Sequence, residues 1–210
     1  WVDNTYAAGP TRELEGYRDS ALRVQLGYDN GKNYSALLNV HARDYKGSAR
    51  LFRANIIKPG TNDFVDGFDE KKISIDGQNT SELQNFGGNL RLRFGLGSMA
   101  LYSVTGLETV KTYSRGDIDG GYGASFLPPG SSGPGTIPFA SESADGIPKH
   151  QQFTQEFRLE STTQGALAWQ AGVFLFNEDY RIESFSYDSL NGNAQDGYQK
   201  VRQKNNAVAA

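Results

Sequence analysis

The chain has 210 residues, enough for one all-β domain, with a net charge of −3, a pI near 5.4 and a mean hydropathy of −0.57. This mildly acidic balance argues against a general nucleic-acid binder, and the lack of an apolar run of ~18 residues argues against a transmembrane helix. With no cysteine, the sequence offers no disulfide, no zinc–thiolate site and no thiol nucleophile.

The first part of the chain predicts a β-hairpin. Residues 1–16 show no sustained period and contain a Gly-Pro pair, so they are predicted to form a loop. Apolar and polar residues then alternate over 20–28 and again over 34–43. Strand side chains point alternately to opposite faces, so each segment predicts a strand with one apolar face. The Asp29-Asn30-Gly31 signal predicts a tight turn between the two strands.

The middle of the chain alternates between strands and two long loops. Residues 47–82 are irregular, and strands are predicted over 86–94 and 99–113, joined by a turn at 95–98. A second long loop, rich in Gly, Pro and Ser, is predicted over 117–150.

The last part predicts a second hairpin. One strand covers 153–161, a break follows at 163–165, and a second strand covers 167–175. A shorter loop near 187–193 leads to a last strand from about Tyr198.

Tight turns thus alternate with long loops, and the strands of the second hairpin match the ~9–11 residues that span a bilayer. Both features are typical of bacterial outer-membrane barrels. The apolar-face residues nearest the tight turns are aromatic, as in a girdle at a membrane–water interface. They are Tyr28, Tyr34, Phe94 and Trp169.

Three segments, QEFRLES (155–161), LAWQAGVF (167–174) and YSVTG (102–106), resemble the barrel of TonB-dependent outer-membrane receptors. The resemblance covers most of the chain, from Gly16 onward. It implies an antiparallel meander of about seven long strands, part of a roughly 22-stranded transmembrane β-barrel. Short periplasmic turns and long extracellular loops are implied, with an N-terminal plug domain. The chain shows no plug and no TonB box, so residues 1–210 are expected to be a segment of such a barrel.

The resemblance implies a transporter of the bacterial outer membrane, with no catalysis and no cofactor. Its implied partners are a scarce small-molecule nutrient (a ferric siderophore, a carbohydrate or another molecule), outer-membrane lipid, and a TonB protein acting through the plug. The alternative is a soluble secreted β-sandwich that binds carbohydrate through Tyr122 and Phe126. The two differ in whether the apolar strand residues face lipid or a packed core.

The resemblance also places ligand contacts on the loops. The candidates there are Arg50, Arg53, Arg115, Asp117, Asp119, Tyr122, Phe126 and Phe139. The arginines at 50 and 53 could hold an anion by bidentate hydrogen bonds or pair with nearby acids.

The segment 117–120 has a spacing similar to a calcium loop but lacks the terminal bidentate Glu, and an ordinary Asp-Gly turn explains it as well. The only histidines, His41 and His150, lie on different segments, so no metal site is predicted.

Charged residues on the polar face of the strands form a second group. They are Arg23, Arg91, Arg93, Glu156 and Arg158. In a plugged barrel these side chains would line the lumen and hydrogen-bond the plug; otherwise they form a hydrated wall.

Overall fold

The computed structural model describes residues 1–120, 141–163, 166–188, 191–192 and 194–210, and no α-helix occurs among them. No helix long and apolar enough to cross a membrane is therefore found in the described ranges. The ten strands in chain order are β1 (Val2–Asn4), β2 (Glu13–Leu14), β3 (Tyr17–Asp29), β4 (Tyr34–Gly47), β5 (Lys72–Ile73), β6 (Thr80–Gly95), β7 (Met99–Asp117), β8 (Glu142–Ser161), β9 (Gln170–Asp188) and β10 (Ala194–Ala209).

Seven long strands form one antiparallel sheet in the order β10-β9-β8-β7-β6-β4-β3. Consecutive long strands are neighbours throughout, so the prediction of a meander of about seven strands is confirmed. β3 and β10 are edge strands that do not pair with each other, so the described sheet is open.

The turns after β3, β6 and β8 lie at one end of the sheet, as the antiparallel order requires. Local side chains close the first of them: the Asp29 carboxylate accepts the Gly31 N–H at 2.7 Å, and the Asn30 side-chain oxygen accepts the Tyr34 N–H at 3.0 Å. The turns also bond to their neighbours, since the Gly95 N–H donates to the Asn33 carbonyl at 2.6 Å. The long connection 48–79 and the described ends of the second one, residues 118–120 and 141, lie at the opposite end, which we call the loop end.

The prediction that residues 1–16 form a loop is wrong. β1 pairs antiparallel with β2 and parallel with β5, giving a small three-stranded sheet. Strands this short carry no readable period, and each depends on partners far away in sequence. We call this small sheet, together with residues 48–79, the loop cap. Its buried core consists of Val2, Leu14, Ile73 and Ile75, with Leu51 packed against them.

The second long loop ends earlier than the predicted residue 150, because β8 begins at Glu142. The Gly-, Pro- and Ser-rich composition that predicted the loop belongs to residues 118–139. The register between β7 and β8 shifts between Val110 and Thr112, and Pro148 sits in the irregularity. A bulge accommodates proline because the extra residue need not donate to the ladder.

Two further boundaries differ from the prediction. β9 begins at Gln170 rather than at residue 167, because the Trp169 N–H bonds to the Ser161 hydroxyl at 3.0 Å and closes the turn instead. β10 begins at Ala194, so only residues 189–193 connect it to β9. The alternation of short and long connections therefore holds for the first five connections and fails at this last one.

The two faces of the large sheet differ in chemistry. Residues directly opposite in register share a face, and one face carries large apolar side chains, with Leu22 65% and Phe86 58% exposed. The exposed apolar set on this face is Leu22, Val24, Leu26, Leu38, Phe86, Leu90, Leu107, Phe153, Phe157, Val173 and Leu175. We call it the apolar face, and the opposite side the polar face.

The aromatic residues predicted as a girdle lie at the turn end of the apolar face. The rings of Tyr28 and Tyr34 are 6.0 Å apart, and those of Tyr34 and Phe94 are 5.0 Å apart. Trp169 lies in the turn between β8 and β9 at the same end.

Candidate functional site

The most unusual local chemistry lies at the loop end, where four carboxyl groups converge. Asp117 is the last residue of β7 and Glu142 is the first of β8, and their register places the two directly opposite each other. Asp119 follows two residues later, and Asp76 belongs to the segment that enters β6. We call Asp76, Asp117, Asp119 and Glu142 the acidic chamber.

Three of these carboxylates lie very close together. One oxygen from each of Asp76, Asp117 and Asp119 lies within 4.8 Å of the others. Asp117 is 2% exposed, Asp119 4% and Glu142 0%. Acids are rarely buried to this extent unless they are paired with a cation or coordinate a metal.

Backbone amides satisfy part of the chamber. The Gly77 N–H donates to Asp117 Oδ2 at 3.1 Å, and the Gln78 N–H donates to Glu142 Oε1 at 3.2 Å. The Ser141 N–H donates to Asp119 Oδ2 at 2.8 Å. These bonds connect the segment before β6, the end of β7 and the start of β8.

The positively charged side chain of Arg115 borders the chamber at Glu142. The Arg115 Nε donates to Glu142 Oε1, and the Arg115 guanidinium lies 3.6 Å from the centre of the Tyr187 ring. A guanidinium over an aromatic face is a favourable cation–π contact. Arg115 is therefore held at Glu142 Oε1, the oxygen that also accepts the Gln78 N–H.

Three carboxylate oxygens remain without a hydrogen-bond partner among the described residues: Asp76 Oδ1, Asp117 Oδ1 and Glu142 Oε2. Buried polar atoms normally have a partner, so each exception needs an explanation. Burial raises the pKa of Asp117 to about 8, assisted by the neighbouring Asp119. Burial also raises the pKa of Asp76, followed by the charge of Asp119.

Gly77 allows its backbone to lie close to the Asp117 and Glu142 side chains. A Cβ at this position would lie 2.9 Å from Asp117 Cβ, 3.1 Å from Glu142 Oε2 and 3.2 Å from Asp117 Oδ2. A larger residue here would therefore push the Asp117 side chain away.

A cavity of about 340 Å³ lies beside the chamber within the loop cap. Arg53, Phe68, Lys72 and Gly120 contribute to its wall. The Arg53 Nη2 donates to the Glu70 carbonyl at 2.6 Å, while its Nε is buried without a partner in the described part of the chain. Asp69 also lines this cavity and pairs with Lys72 at 3.4 Å, so the wall combines Arg53 and an ion pair with apolar surface.

The structure brings only some of the loop candidates together. Arg115, Asp117 and Asp119 meet in or beside the acidic chamber, and Arg53 borders the neighbouring cavity. The Arg50 side chain is exposed. Tyr122, Phe126 and Phe139 lie outside the described residues.

Four of the five predicted lumen residues also meet, around Tyr102 on the polar face. The guanidinium carbons of Arg91, Arg93 and Arg158 lie 5.5, 6.0 and 5.0 Å from the centre of the Tyr102 ring. Glu156 lies 3.7 Å from Arg158. We call these five residues the Tyr102 cluster. Arg23 lies apart, opposite His41 on the strand pair β3–β4.

Sequence reasoning missed Asp76, Gly77 and Glu142, which complete the acidic chamber. Asp76 and Gly77 lay in the irregular segment 47–82, and Glu142 lay in the second predicted loop, 117–150. The expectation of no metal site rested on the two separate histidines, the lack of cysteine, and the missing terminal Glu of the calcium-like segment 117–120. The length of the β7 and β8 strands was the missing signal, because it places Asp117 opposite Glu142.

Comparison with known proteins adds no relative: no protein-family model matches the chain, and no curated protein or solved structure matches it significantly.

Proposed function

We propose that this chain forms part of the wall of an outer-membrane β-barrel of the TonB-dependent receptor type, which takes up a scarce nutrient. The observation that carries the proposal is the exposed apolar face of the seven-stranded sheet. Large apolar side chains stay exposed on six neighbouring strands, β3, β4 and β6–β9. Exposed apolar surface on this scale marks contact with lipid or another protein.

The position of the apolar residues supports lipid as the contacting phase. On β6 they run from Phe86 to Phe94, which matches the lower end of the ~9–11 residues that cross a bilayer as a tilted strand. On β8 they cover the shorter range from Phe153 to Leu159. Tyr28, Tyr34 and Phe94 contact one another where this band ends, next to the tight turns. Aromatic girdles occupy this depth in outer-membrane barrels.

Three polar side chains on the apolar face hydrogen-bond to one another. The Thr105 hydroxyl donates to Gln155 Oε1 at 2.6 Å, and Gln155 Nε2 donates to the Ser103 hydroxyl at 3.0 Å. In a lipid environment an unpaired polar side chain is costly, whereas a bonded group is tolerated. This trio is therefore compatible with lipid contact.

The polar face supports an aqueous or protein-filled interior. It carries close side-chain pairs of histidine and glutamate, His41 with Glu108 at 3.0 Å and His150 with Glu178 at 2.8 Å. The Tyr102 cluster presents three arginines from β6 and β8 on the same face. A plug domain packed inside a barrel of about 22 strands would find hydrogen-bond partners in this cluster.

The loop end supports ligand recognition. The loop cap has its own buried core, and its cavity joins Arg53 and Lys72 with Phe68. Lys72 pairs with Asp69 on the same wall, so the Arg53 guanidinium, together with the Phe68 ring, is the feature that suits an anionic or chelated small molecule. The alternative, a secreted carbohydrate-binding β-sandwich, requires a second layer over the apolar face; no described element covers the exposed residues there.

The absence of cysteine permits a direct test of the two faces. Single cysteines would be introduced at Leu90, Leu92 and Phe157 on the apolar face, and at the adjacent Asn89, Arg91 and Glu156 on the polar face. The full-length protein, in its native membrane or in vesicles, would react with a water-soluble maleimide. A separate bimane label would report quenching by lipids that carry a nitroxide on the acyl chain.

We expect the two readouts to alternate along the strands. Cysteines on the apolar face resist the maleimide, and their bimane labels are quenched by the lipid; the polar-face cysteines show neither property. Protection of the apolar face without lipid quenching would favour the β-sandwich and contradict the proposal.

A further inference from the structure

We propose that the apolar face, at its loop end, binds the phosphate groups of a glycolipid headgroup in the outer leaflet of the membrane. The site consists of four basic side chains, which we call the basic row, and of a groove beside them. The basic row is Lys111, Lys149, Arg181 and Arg202. This inference rests on the membrane location under the proposed function and adds a lipid partner to it.

The register places the basic row across four neighbouring strands. Lys149 on β8 is directly opposite Arg181 on β9, and Arg181 is directly opposite Arg202 on β10. Lys111 lies on β7, beside the irregularity of β8 that contains Pro148. Alternate residues of a strand share a face, so the row lies on the same face as the exposed apolar residues of β7, β8 and β9.

The basic row holds like charges directly opposite each other, an arrangement that costs stability. Asp179 offsets part of this repulsion, because its carboxylate lies 3.0 Å from Lys149 Nζ and 2.9 Å from Arg202 Nη2. Arg181 has a more distant partner, Glu183 at 3.9 Å. Two carboxylates therefore face four basic side chains.

Three exposed lysines on the same face add positive charge with no ion-pair partner among the described residues: Lys111 within the row, and Lys200 and Lys204 on either side of Arg202. The register partners of Lys200 and Lys204 are Glu183 and Asp179, the same two acids. The patch on β7–β10 thus has six basic side chains and two acidic ones. Such an excess attracts anionic headgroups.

A groove of about 420 Å³ adjoins the basic row on the side of the loop end. It lies at the bulge of β8, and Lys111, Tyr113, Pro148 and Phe185 contribute to its wall. An amine next to aromatic rings suits a phosphorylated sugar, since the amine binds the phosphate and the rings cover the apolar side of the sugar.

Two acids also line this groove, and each has a basic partner. Glu82 lies 3.9 Å from Lys46, and Glu183 lies 3.9 Å from Arg181. Lys111 has no such partner, so its amine is the group in the groove that is available to a phosphate.

The height of the basic row matches a lipid headgroup. Lys149 precedes Phe153, the nearest exposed apolar residue of β8, by four positions, which is ~13 Å along a strand. A strand tilt of ~45° reduces this distance to ~9 Å above the apolar band, close to the ~5–8 Å of polar headgroups on each side of the hydrocarbon core. Long Lys and Arg side chains span the remaining distance.

The occupant follows from these features together. Phosphate oxygens accept hydrogen bonds from Lys and Arg, and the acyl chains of the same molecule would cover Phe153 and Leu175, which are exposed next to the row. In an outer-membrane barrel the long loops are extracellular, so the row lies in the outer leaflet. A free phosphate ion would use the basic side chains alone.

The test uses the purified full-length protein in a neutral detergent and measures bound lipid by native mass spectrometry. The probe is diphosphoryl lipid A, and dephosphorylated lipid A is the matched ligand without phosphate. The variants are Lys111→Gln and Arg181→Gln, with Lys111→Arg as the variant that keeps the charge. Arg18→Gln is the control, because Arg18 is exposed on the same face but lies on β3, far from the basic row.

We expect the wild type to bind diphosphoryl lipid A at least ~10-fold more tightly than the dephosphorylated form. Each Gln variant should weaken this binding ~5-fold, the contribution of one basic residue near an anionic membrane surface. Lys111→Arg should bind as the wild type does, and Arg18→Gln should change the affinity less than ~2-fold. The Tm of Arg181→Gln without lipid should not fall, since the substitution removes a repulsion between like charges.

Two results would overturn the proposal: equal binding of the two forms of lipid A, or a loss in Arg18→Gln as large as in the basic-row variants, which would indicate general surface charge. Displacement of lipid A by ~10 mM inorganic phosphate would contradict it as well, because it would identify a site for the free anion. The lipid quenching at Phe157 described above tests the membrane location separately. Quenching without a preference for the phosphorylated lipid would refute the lipid site alone.

Discussion

At the scale of single residues, the most unusual feature of the described chain is a small group of buried carboxyl side chains at the loop end. Asp117 has almost no exposure, and its environment favours the protonated form, which raises its pKa to about 8. The unfolded chain would ionise this group near its ordinary value of 3.8. Between these two values the folded state retains a proton that the unfolded state has lost, so stability falls as the pH rises.

The first prediction concerns this pH dependence. The wild-type free energy of unfolding should decrease from about pH 5 to about pH 8, because Asp117 must ionise while buried. Asp117→Asn carries no ionisable group at this position. Its free energy of unfolding should therefore rise relative to that of the wild type over the same pH range. Urea unfolding at several pH values measures both slopes. A constant difference between the two proteins would show that Asp117 ionises freely.

The second prediction concerns the backbone at Gly120. Gly120 has a φ of 77°, and a Cβ there would lie 2.6 Å from the Ala54 nitrogen. Gly97 has a similar φ of 72°, with nothing near its Cβ position. Gly97→Ala should therefore cost only ~1–2 kcal/mol for the left-handed conformation.

Gly120→Ala bears the same conformational cost and also clashes with the backbone, so it should destabilise the protein by at least ~1 kcal/mol more. The difference between the two variants in free energy of unfolding, measured with urea, gives the cost of the clash between the added Cβ at residue 120 and the Ala54 backbone. Equal costs would mean that the 118–120 segment can shift away from Ala54.

At the scale of elements, the five inner long strands pair with a neighbour on each side, and the pattern on the two faces sets the register of every long strand. A slip of one residue would exchange the apolar and polar faces. It would move Leu90 and its partner Leu38 to the side of the Tyr102 cluster. The bulges in β8 and β10 lie at the loop end, beyond the exposed apolar residues of the apolar face. They therefore leave the alternation of apolar and polar side chains in the rest of the strands unchanged.

The third prediction tests this difference on one strand. Leu90 lies near the middle of the apolar band of β6, and Asn89 lies beside it on the polar face, also exposed. Leu90→Arg should cost ~2–4 kcal/mol if this face contacts the lipid midplane. Asn89→Arg adds the same side chain on the hydrated face and should cost far less.

Folding into lipid vesicles, followed by the change in gel mobility on heating, measures both variants. If both variants folded as well as the wild type, the assignment of the faces would be contradicted. If both variants failed to fold, β6 would tolerate no added charge on either face.

At the scale of the whole molecule, the described chain has two unequal parts. The large sheet has two unpaired edges, β3 and β10, and edge strands of this length are templates for further pairing. The buried apolar residues concentrate in the loop cap instead. We infer that β3 and β10 pair with additional strands in the working protein, while the loop cap is stable through its own core.

The fourth prediction addresses ligand recognition. Deletion of residues 121–139 from the full-length protein should abolish uptake while the barrel still assembles, since β7 and β8 pair over their whole length without this segment. It would remove Tyr122, Phe126 and Phe139 and leave the acidic chamber residues in place. Uptake of a panel of labelled ferric siderophores and oligosaccharides would be measured alongside heat-modifiable gel mobility.

The Arg53→Ala variant provides the comparison, because it alters the described cavity without touching the deleted segment. Normal uptake by the deletion protein and loss of uptake by Arg53→Ala would move recognition to the loop cap.

Much of the fold could be predicted because its signals are local. The two-residue period of each long strand, the Asp29-Asn30-Gly31 turn and the turn around Gly97 are readable within a few residues. The grouping of Arg91, Arg93, Glu156 and Arg158 on one face followed from the same period. Errors occurred where local signals conflict with pairing, as at Pro148, or where strands are too short to show a period, as in residues 1–16.

The sequence by itself determined an all-β chain with long amphipathic strands, tight turns at one end and long connections at the other. Only the tertiary structure decided which charged residues meet. Asp76, Asp117 and Glu142 lie on three different segments. Hydrogen bonds from the backbone of the first segment connect them: the Gly77 N–H reaches Asp117, 40 residues away, and the Gln78 N–H reaches Glu142, 64 residues away. The register between β7 and β8 places Asp117 opposite Glu142, and register depends on every pair along both strands rather than on the residues at their ends.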